Sequence, residues 1–336
     1  MLSPRISVIL PAYNAEEFIA EAIISILKQS YSDFELIIIN DGSTDTTTQI
    51  ISSFSNERIV LVNHSVNKGL IASLNEGISI SKGEYIARMD ADDVSYSERF
   101  KKQIEFMDKH PETGILGTSV TYFGKNVVRK NQVILTASEE LKSRFLFSSP
   151  FNHPTVFIRK SVLDKFGFQY NQEYIHAEDY ALWYHMLRKT EFANLNEALL
   201  YYRLTPQQIS QNQKNAQYHS VMKMQKKILA EMLLEPSEKE WKIQQALYTE
   251  EYPIDQDFPE AVNEWLHKLK NANAATGLFN DKNFRKQLGK TWFLVCTTLA
   301  SRGFKTQRIY SNSDLSSLYK IKADLWFKFQ MKKWLK

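Results

Sequence analysis

A chain of 336 residues with 43% hydrophobic side chains has the material for one large core plus an appendage, or for two domains, and its 42 basic against 38 acidic residues leave a formal charge of only +4. So small an excess excludes a wholesale nucleic-acid binder, which needs a concentrated positive field. The single cysteine, Cys296, rules out an internal disulfide, points to a reducing compartment, and reads most simply as a small buried apolar residue.

The chain opens on Ile6-Ser7-Val8-Ile9-Leu10, too short for the apolar core of a secretion signal and closed by Pro11, so a first buried strand is expected there. Residues 16–29 place Phe18, Ala22 and Ile26 at helical spacing. Leu36-Ile37-Ile38-Ile39 is the continuous apolar run of a strand buried on both faces. A third strand is expected over 59–62, a helix through Leu70, Leu74 and Ile78 that stops near Gly83, and a fourth strand over 85–89. Strand and helix in alternation mean a mostly parallel, Rossmann-like sheet flanked by helices, an α/β fold. From 114 to 203 the pattern mixes strands near 115–122, 155–159 and 198–203 with a helix near 179–188. Strand signals then vanish, and helices are expected over 215–234, 237–249, 259–272, 281–301 and 314–334, broken at Pro236, Pro253, Gly277 and Gly303. The expected division is a first domain over 1–212, its halves meeting near 95, and an all-helical C-terminal extension over 213–336. No segment is long and apolar enough to span a bilayer; the greasiest late one, 292–300, has about half the needed length.

Parallel sheets bind ligands beyond the carboxyl ends of their strands, so the polar runs found there carry the chemistry. Three stand out: Pro11-Ala12-Tyr13-Asn14, Asn40-Asp41-Gly42-Ser43-Thr44-Asp45, and Asp90-Ala91-Asp92-Asp93. Carboxylates crowded at a strand end repel one another unless a cation sits between them, and a divalent ion held by hard oxygens commonly has phosphate on its other side. Tyr13 offers a ring for stacking on a base, and Pro11 stiffens the turn beneath it. Asp41, just past a buried strand, can accept a hydrogen bond from a ligand or serve as a turn residue before Gly42; Asp45 reads as a helix cap. Lys68, at a helix start, suits either a phosphate or plain solvent.

These runs, with Glu178-Asp179-Tyr180, fall in an order and spacing that resemble glycosyltransferase family 2 over about residues 3–210. The resemblance implies a GT-A fold, a nucleotide-diphosphate sugar donor, a divalent metal and inversion at the anomeric carbon. It puts Pro11, Ala12, Tyr13, Asn14, Asp41, Lys68, Asp90 and Ala91 on the nucleotide, Asp90 at the ribose or on the metal through water. In the family's D-x-D pattern Asp92 is the metal ligand for Mn²⁺ or Mg²⁺, and Asp93 a second ligand or a cap of the following helix. Asp179 is implied as the general base that takes the acceptor's proton, with Glu178 orienting it or binding acceptor. His153, in Asn152-His153-Pro154, is either an acceptor or sugar contact or a structural residue. Tyr202-Arg203 with Ser210 resembles the family's closing segment, and puts Arg203 on the diphosphate; the histidine that often follows is replaced by Leu204-Thr205.

The expected partners are thus a sugar nucleotide, of uridine through Asp41 and the resemblance, and a saccharide or lipid-linked acceptor, in a bacterial polysaccharide, lipopolysaccharide or capsule pathway on the cytoplasmic side of the membrane. Residues 320–336 alternate lysines with Ile321, Leu325, Trp326, Phe329 and Trp334, which suits an anionic membrane surface or packing on the chain's own domain. Two other readings exist. Asp90-Ala91-Asp92-Asp93-Val94 also fits the D-x-D-x-[TV] motif of haloacid-dehalogenase-like phosphatases, though there it ends the first strand; a non-catalytic nucleotide-sugar scaffold is the other.

Overall fold

The computed structural model describes residues 3–331 apart from 126, 128–129, 133 and 206–212, so Ser210 and the last lysines of the tail lie outside the described residues. Its strands are β1 (Ile6–Ala12), β2 (Phe34–Asn40), β3 (Ile59–Asn63), β4 (Tyr85–Arg88), β5 (Val94–Ser95), β6 (Thr113–Phe123), β7 (Lys130–Asn131), β8 (Phe157–Arg159) and β9 (Glu191–Arg203). They form one sheet in the order β3-β2-β1-β4-β8-β6-β9-β5, with β7 beside β6. The first four are mutually parallel, and Ala12 pairs with Asn40 and Asn40 with Asn63, so the loops after β1, β2 and β3 leave the sheet at one level. β8 enters antiparallel between β4 and β6, and β5 returns antiparallel on β9.

The helices are α1 (Ile19–Leu27), α2 (Thr47–Ser52), α3 (Leu70–Ile80), α4 (Arg99–Lys109), α5 (Ser138–Lys142), α6 (Lys160–Phe166), α7 (Glu178–Met186), α8 (Lys214–Glu231), α9 (Glu238–Thr249), α10 (Phe258–Thr276), α11 (Asp281–Ser301), α12 (Gln307–Asn312) and α13 (Ala323–Met331). Alternation along β1 sends Ile6, Val8 and Leu10 into a core with Ala22, Ile23 and Ile26 of α1 and Phe100 and Ile104 of α4. Ile9 points to the opposite face, where α3 lies so close that a Cβ on Gly77 would stand 2.6 Å from the Ile9 side chain. Any larger residue there would push α3 off the sheet.

The chain divides into two compact units, one of Met1–Ser138 with Phe151–Val221 and one of Glu139–Pro150 with Met222–Lys336. In the second, a buried amide network joins segments far apart in sequence. Gln244 donates to the Leu146 carbonyl (2.7 Å) and to Gln225 Oε1 (2.8 Å), Gln225 donates to the Phe145 carbonyl (3.0 Å), and Trp265 Nε1 donates to Gln244 (2.9 Å). The helix expected over 314–334 is interrupted. Ser313 caps a 3-10 turn at Asp314–Leu318, which packs on Gly289 of α11, and the chain straightens at Tyr319 before α13 begins. Among the described residues no helix is long and apolar enough to cross a membrane.

Candidate functional site

The loops after β1 and β2 are stitched to each other before any ligand is considered. Ser43 Oγ accepts the Asn14 N–H (3.0 Å), Asn14 Oδ1 accepts the Thr44 N–H (2.8 Å), and Asp45 accepts the N–H groups of Glu16 (3.1 Å) and Thr47 (3.0 Å). Asn14 sits at φ +46°, a left-handed conformation asparagine tolerates, and the turn leaves Tyr13 50% exposed next to buried Ala12. A stacking ring on a rigid rim is therefore present.

Asp41 is enclosed by its own neighbours. It is 3% exposed, and its oxygens accept the N–H groups of Lys68 and Gly69 (2.8 Å each) and face His64 Nδ1 at 2.6 Å. His64 Nε2 in turn lies 2.8 Å from Glu76 on α3. The carboxylate thus latches the end of β2 to the start of α3, most of its acceptor capacity already used. Gly42 makes the latch fit: at φ +71°, a Cβ there would stand 2.6 Å from the Asn67 backbone nitrogen. The Lys68 side chain is exposed, its Nζ 3.7 Å from Glu76.

The acidic run follows β4 directly. Asp90, Asp92 and Asp93 each present a carboxylate oxygen within 4.8 Å of the others. Burial, then the charge of Asp90, pushes the Asp92 carboxyl up to about 6, and burial with both neighbours holds Asp93 well above the carboxylate range. Asp93 is 1% exposed; one oxygen accepts the Arg203 N–H (2.8 Å), while Oδ2 is buried with no hydrogen-bond partner among the described residues. Crowded, desolvated carboxylates with an orphaned oxygen fit a divalent cation. Asp93 does not cap α4, whose N-cap, Glu98, makes no side-chain cap bond. The run's far side is pinned by Gln29, which donates to Ser95 Oγ and the Tyr96 carbonyl and accepts from the Phe100 N–H.

Two arginines frame the run. Arg88, the last residue of β4, is 4% exposed and paired with Asp90. Buried Arg99 holds it from behind, donating to the Arg88 carbonyl (2.8 Å). Arg203 donates Nε to the Asp92 carbonyl (2.6 Å), pairs with Glu21, and stacks over Phe18 and Phe123 with 4.4 Å to each ring centre. These contacts make it a clasp across the acidic turn.

Glu178 and Asp179 open α7. Glu178 is 5% exposed, and burial together with Asp179 pushes its carboxyl up to about 7. Asp179 is half-buried and also raised by burial, against a 2.6 Å bond from the Tyr180 N–H and the charge of Arg88. His153 Nε2 meets the Tyr170 hydroxyl at 2.9 Å, and burial and Arg88 hold its ring well below the usual imidazole range, so it is neutral. Arg88 acts electrostatically on Asp92, Asp93, His153, Tyr170, Glu178 and Asp179 alike, which places the acidic run and the start of α7 around one guanidinium. Neither Arg88 nor Tyr170 is among the residues that the sequence motifs single out. An arginine closing an otherwise apolar strand is a usable signal for the first, because buried arginine needs a partner; nothing local marks the second.

The family model for glycosyl transferase family 2 matches residues 7–167. An uncharacterized glycosyltransferase of Haemophilus influenzae is 33% identical over 240 residues, 66% of this chain and 72% of that protein. The Escherichia coli protein WfgD, described as a UDP-Glc:alpha-D-GlcNAc-diphosphoundecaprenol beta-1,3-glucosyltransferase, is 29% identical over 212 residues, 62% of this chain and 80% of its own. Among solved structures, S. aureus TarS 1–349 in complex with UDP-GlcNAc superposes with a TM-score of 0.59 at 19% identity, covering 89% of this chain and 92% of that one. The mannosyltransferase PcManGT of Pyrobaculum calidifontis, in complex with GDP-Man and Mn²⁺, does so with a TM-score of 0.55 at 15% identity, covering 99% and 88%. At these identities the two structures speak for the shared GT-A-like fold.

Proposed function

This chain belongs to glycosyl transferase family 2 and is a glycosyltransferase, and from that premise we propose that it moves a sugar, with inversion, from a uridine-diphosphate sugar to a hydroxyl of a saccharide or lipid-linked acceptor, in the synthesis of a bacterial surface polysaccharide such as lipopolysaccharide or capsule. The observation that carries the reading is the cluster of Asp90, Asp92 and Asp93, whose oxygens lie within 4.8 Å of one another. Asp92 and Asp93 would hold Mn²⁺ or Mg²⁺, with Asp90 on the ribose side. Such an ion, when bound, would neutralise charge gathering on the leaving diphosphate. Pro11, Ala12, Tyr13, Asn14 and Ala91 wall the nucleotide, Tyr13 stacking on the base, and Lys68 faces the phosphates.

On the other side of the sugar, Asp179 takes the acceptor's proton as the hydroxyl attacks. A carboxyl whose ionised form is disfavoured by burial holds a proton more readily than an ordinary one, which suits a general base. Glu178 orients it or meets the acceptor, and neutral His153 lines the sugar side with its ring fixed by Tyr170. The relatives' descriptions favour a uridine donor and a diphosphoundecaprenol-linked acceptor as the first compounds to try. A lipid-linked acceptor gives the 320–336 tail a reason to lie on the inner face of the membrane. Family membership sets aside the phosphatase reading of Asp90 and Asp92 and the non-catalytic scaffold. The acidic run also ends the fourth strand in chain order, not the first.

A thermal-shift screen of sugar nucleotides with Mn²⁺ tests the proposal, since a ligand at a hundred times its Kd adds about 2.7 kcal/mol to stability. One uridine-diphosphate sugar should raise the melting temperature of the wild type and not that of Asp92→Ala. A shift that survives Asp92→Ala would remove this residue from the metal site, and release of inorganic phosphate from simple esters would overturn the transfer reading.

A further inference from the structure

Asp41 is joined in a chain to His64 and Glu76, two residues that no motif above accounts for. His64 is 8% exposed and its ring lies between two carboxylates, Nδ1 2.6 Å from Asp41 and Nε2 2.8 Å from Glu76. Each ring nitrogen thus has a carboxylate oxygen as its hydrogen-bond partner. Three residues from three segments are joined in this way: the end of β2, the residue after β3, and the second turn of α3. The carboxylate at one end also holds the N–H groups of Lys68 and Gly69, and the Asn67 backbone lies against Gly42 with no room for a Cβ. The loop that opens α3 therefore has its place set from two sides, by Gly42 in front and by the Asp41–His64–Glu76 chain behind.

We propose that His64 is a positioning residue for donor binding: by bridging Asp41 to Glu76 it fixes the Asn67–Gly69 backbone and the Asp41 carboxylate at the carboxyl ends of β2 and β3, where the nucleotide half of the donor seats. This rests on the donor-binding reading given above. His64 does not touch the substrate and acts through Asp41. Without the bridge, Asp41 keeps its two backbone bonds but loses the side-chain contact that orients it, and α3 loses its tie to the residue after β3. The cost should fall on holding the donor and not on the sugar-transfer step, whose groups, Asp179 and the acidic run, belong to β4 and α7.

The test uses UDP with Mn²⁺ as the binding probe on the full chain, together with UDP release from whichever uridine-diphosphate sugar the thermal screen selects. For His64→Leu the expected result is a dissociation constant for UDP and a donor KM about tenfold higher, with kcat within about twofold of wild type. A misplaced fold would lower kcat as well, so the split separates positioning from general damage. Glu76→Gln, at a half-buried helix position, weakens the same bridge from its outer end and should move KM in the same direction by a smaller factor. Unchanged UDP affinity and KM in a folded His64→Leu protein would overturn the proposal. So would a fall in kcat at constant KM. If His64→Leu does not fold, Glu76→Gln decides on the same readouts, and an unchanged donor KM there overturns it. A wild type that bound no nucleoside diphosphate with Mn²⁺ would overturn the donor reading first, and this inference with it.

Discussion

Arg88 ends a strand of Tyr85, Ile86 and Ala87, pairs with Asp90, and acts through its charge on Asp92, Asp93, Glu178 and Asp179. Around it both carboxylates of α7 are raised by burial, Glu178 up to about 7. Asp179→Asn keeps the shape of the site and removes the acceptor of the proton, so transfer should fall by roughly 10²–10⁴-fold while affinity for UDP stays within about twofold. Normal turnover by this variant would strike Asp179 from the role of base. Glu178 makes a prediction about stability. Its carboxyl is raised to about 7, so the folded state favours the protonated form, and its contribution is intact below the ordinary carboxyl range and lost as the pH rises through 7. Glu178→Gln should therefore leave the melting temperature almost unchanged at pH 5 and raise it at pH 8, where the gain in stability is on the order of 2 kcal/mol. Equal shifts at both pH values would contradict the burial argument.

At the level of elements, β1 to β4 and α3 were legible because their patterns are local: β2 is an unbroken apolar run, and α3 repeats Leu70, Leu74 and Ile78. β9 was half visible. It spans Glu191–Arg203, but only 198–203 shows in the sequence, because Asn194, Asn196 and Glu197 mask the pattern across a stretch where its register against β6 is irregular. The break in the tail is hidden in the sequence for a related reason. Nothing local at 314–322 says that a turn will pack on Gly289 of α11 and break the helix. The amide network of Gln225, Gln244 and Trp265 is equally silent, since polar residues at helical spacing read as a solvated face. Gln244→Leu would leave the Trp265 N–H and the Leu146 carbonyl short of partners inside a core, and should cost about 2–4 kcal/mol by denaturant unfolding. A loss under about 0.5 kcal/mol would mean that the network is solvated in solution.

Taken as a whole, the molecule places a charged catalytic unit and a helical unit in one chain, and the second unit ends in an unusual surface. On α13 Phe329 is fully buried, yet Leu325, Trp326, Met331 and above all Phe327, at 65%, are exposed. Lys320, Lys322 and Lys328 stand among them, and the sequence adds Lys332, Lys333 and Lys336. Exposed aromatics beside a basic excess match the interface of an anionic bilayer. Co-sedimentation with phosphatidylglycerol vesicles should be strong at low salt, weaker as salt screens the lysines, and sharply reduced in a Trp326→Ser, Phe327→Ser double variant. Binding unchanged by that variant would end the membrane reading of the tail.

The sequence by itself determined the parallel sheet, the loops that leave its carboxyl ends, the acidic run and the family, because strand period, turn residues and motif spacing are properties of neighbours along the chain. Tertiary structure alone decided how those residues are employed. It enclosed Asp41 against His64 and turned Arg203 onto the acidic turn, a contact spanning 111 positions. It also gathered Glu139–Pro150 into the helical unit. Burial and charge proximity set the ionisation of each carboxylate, and both arise from residues that meet only once the chain has folded.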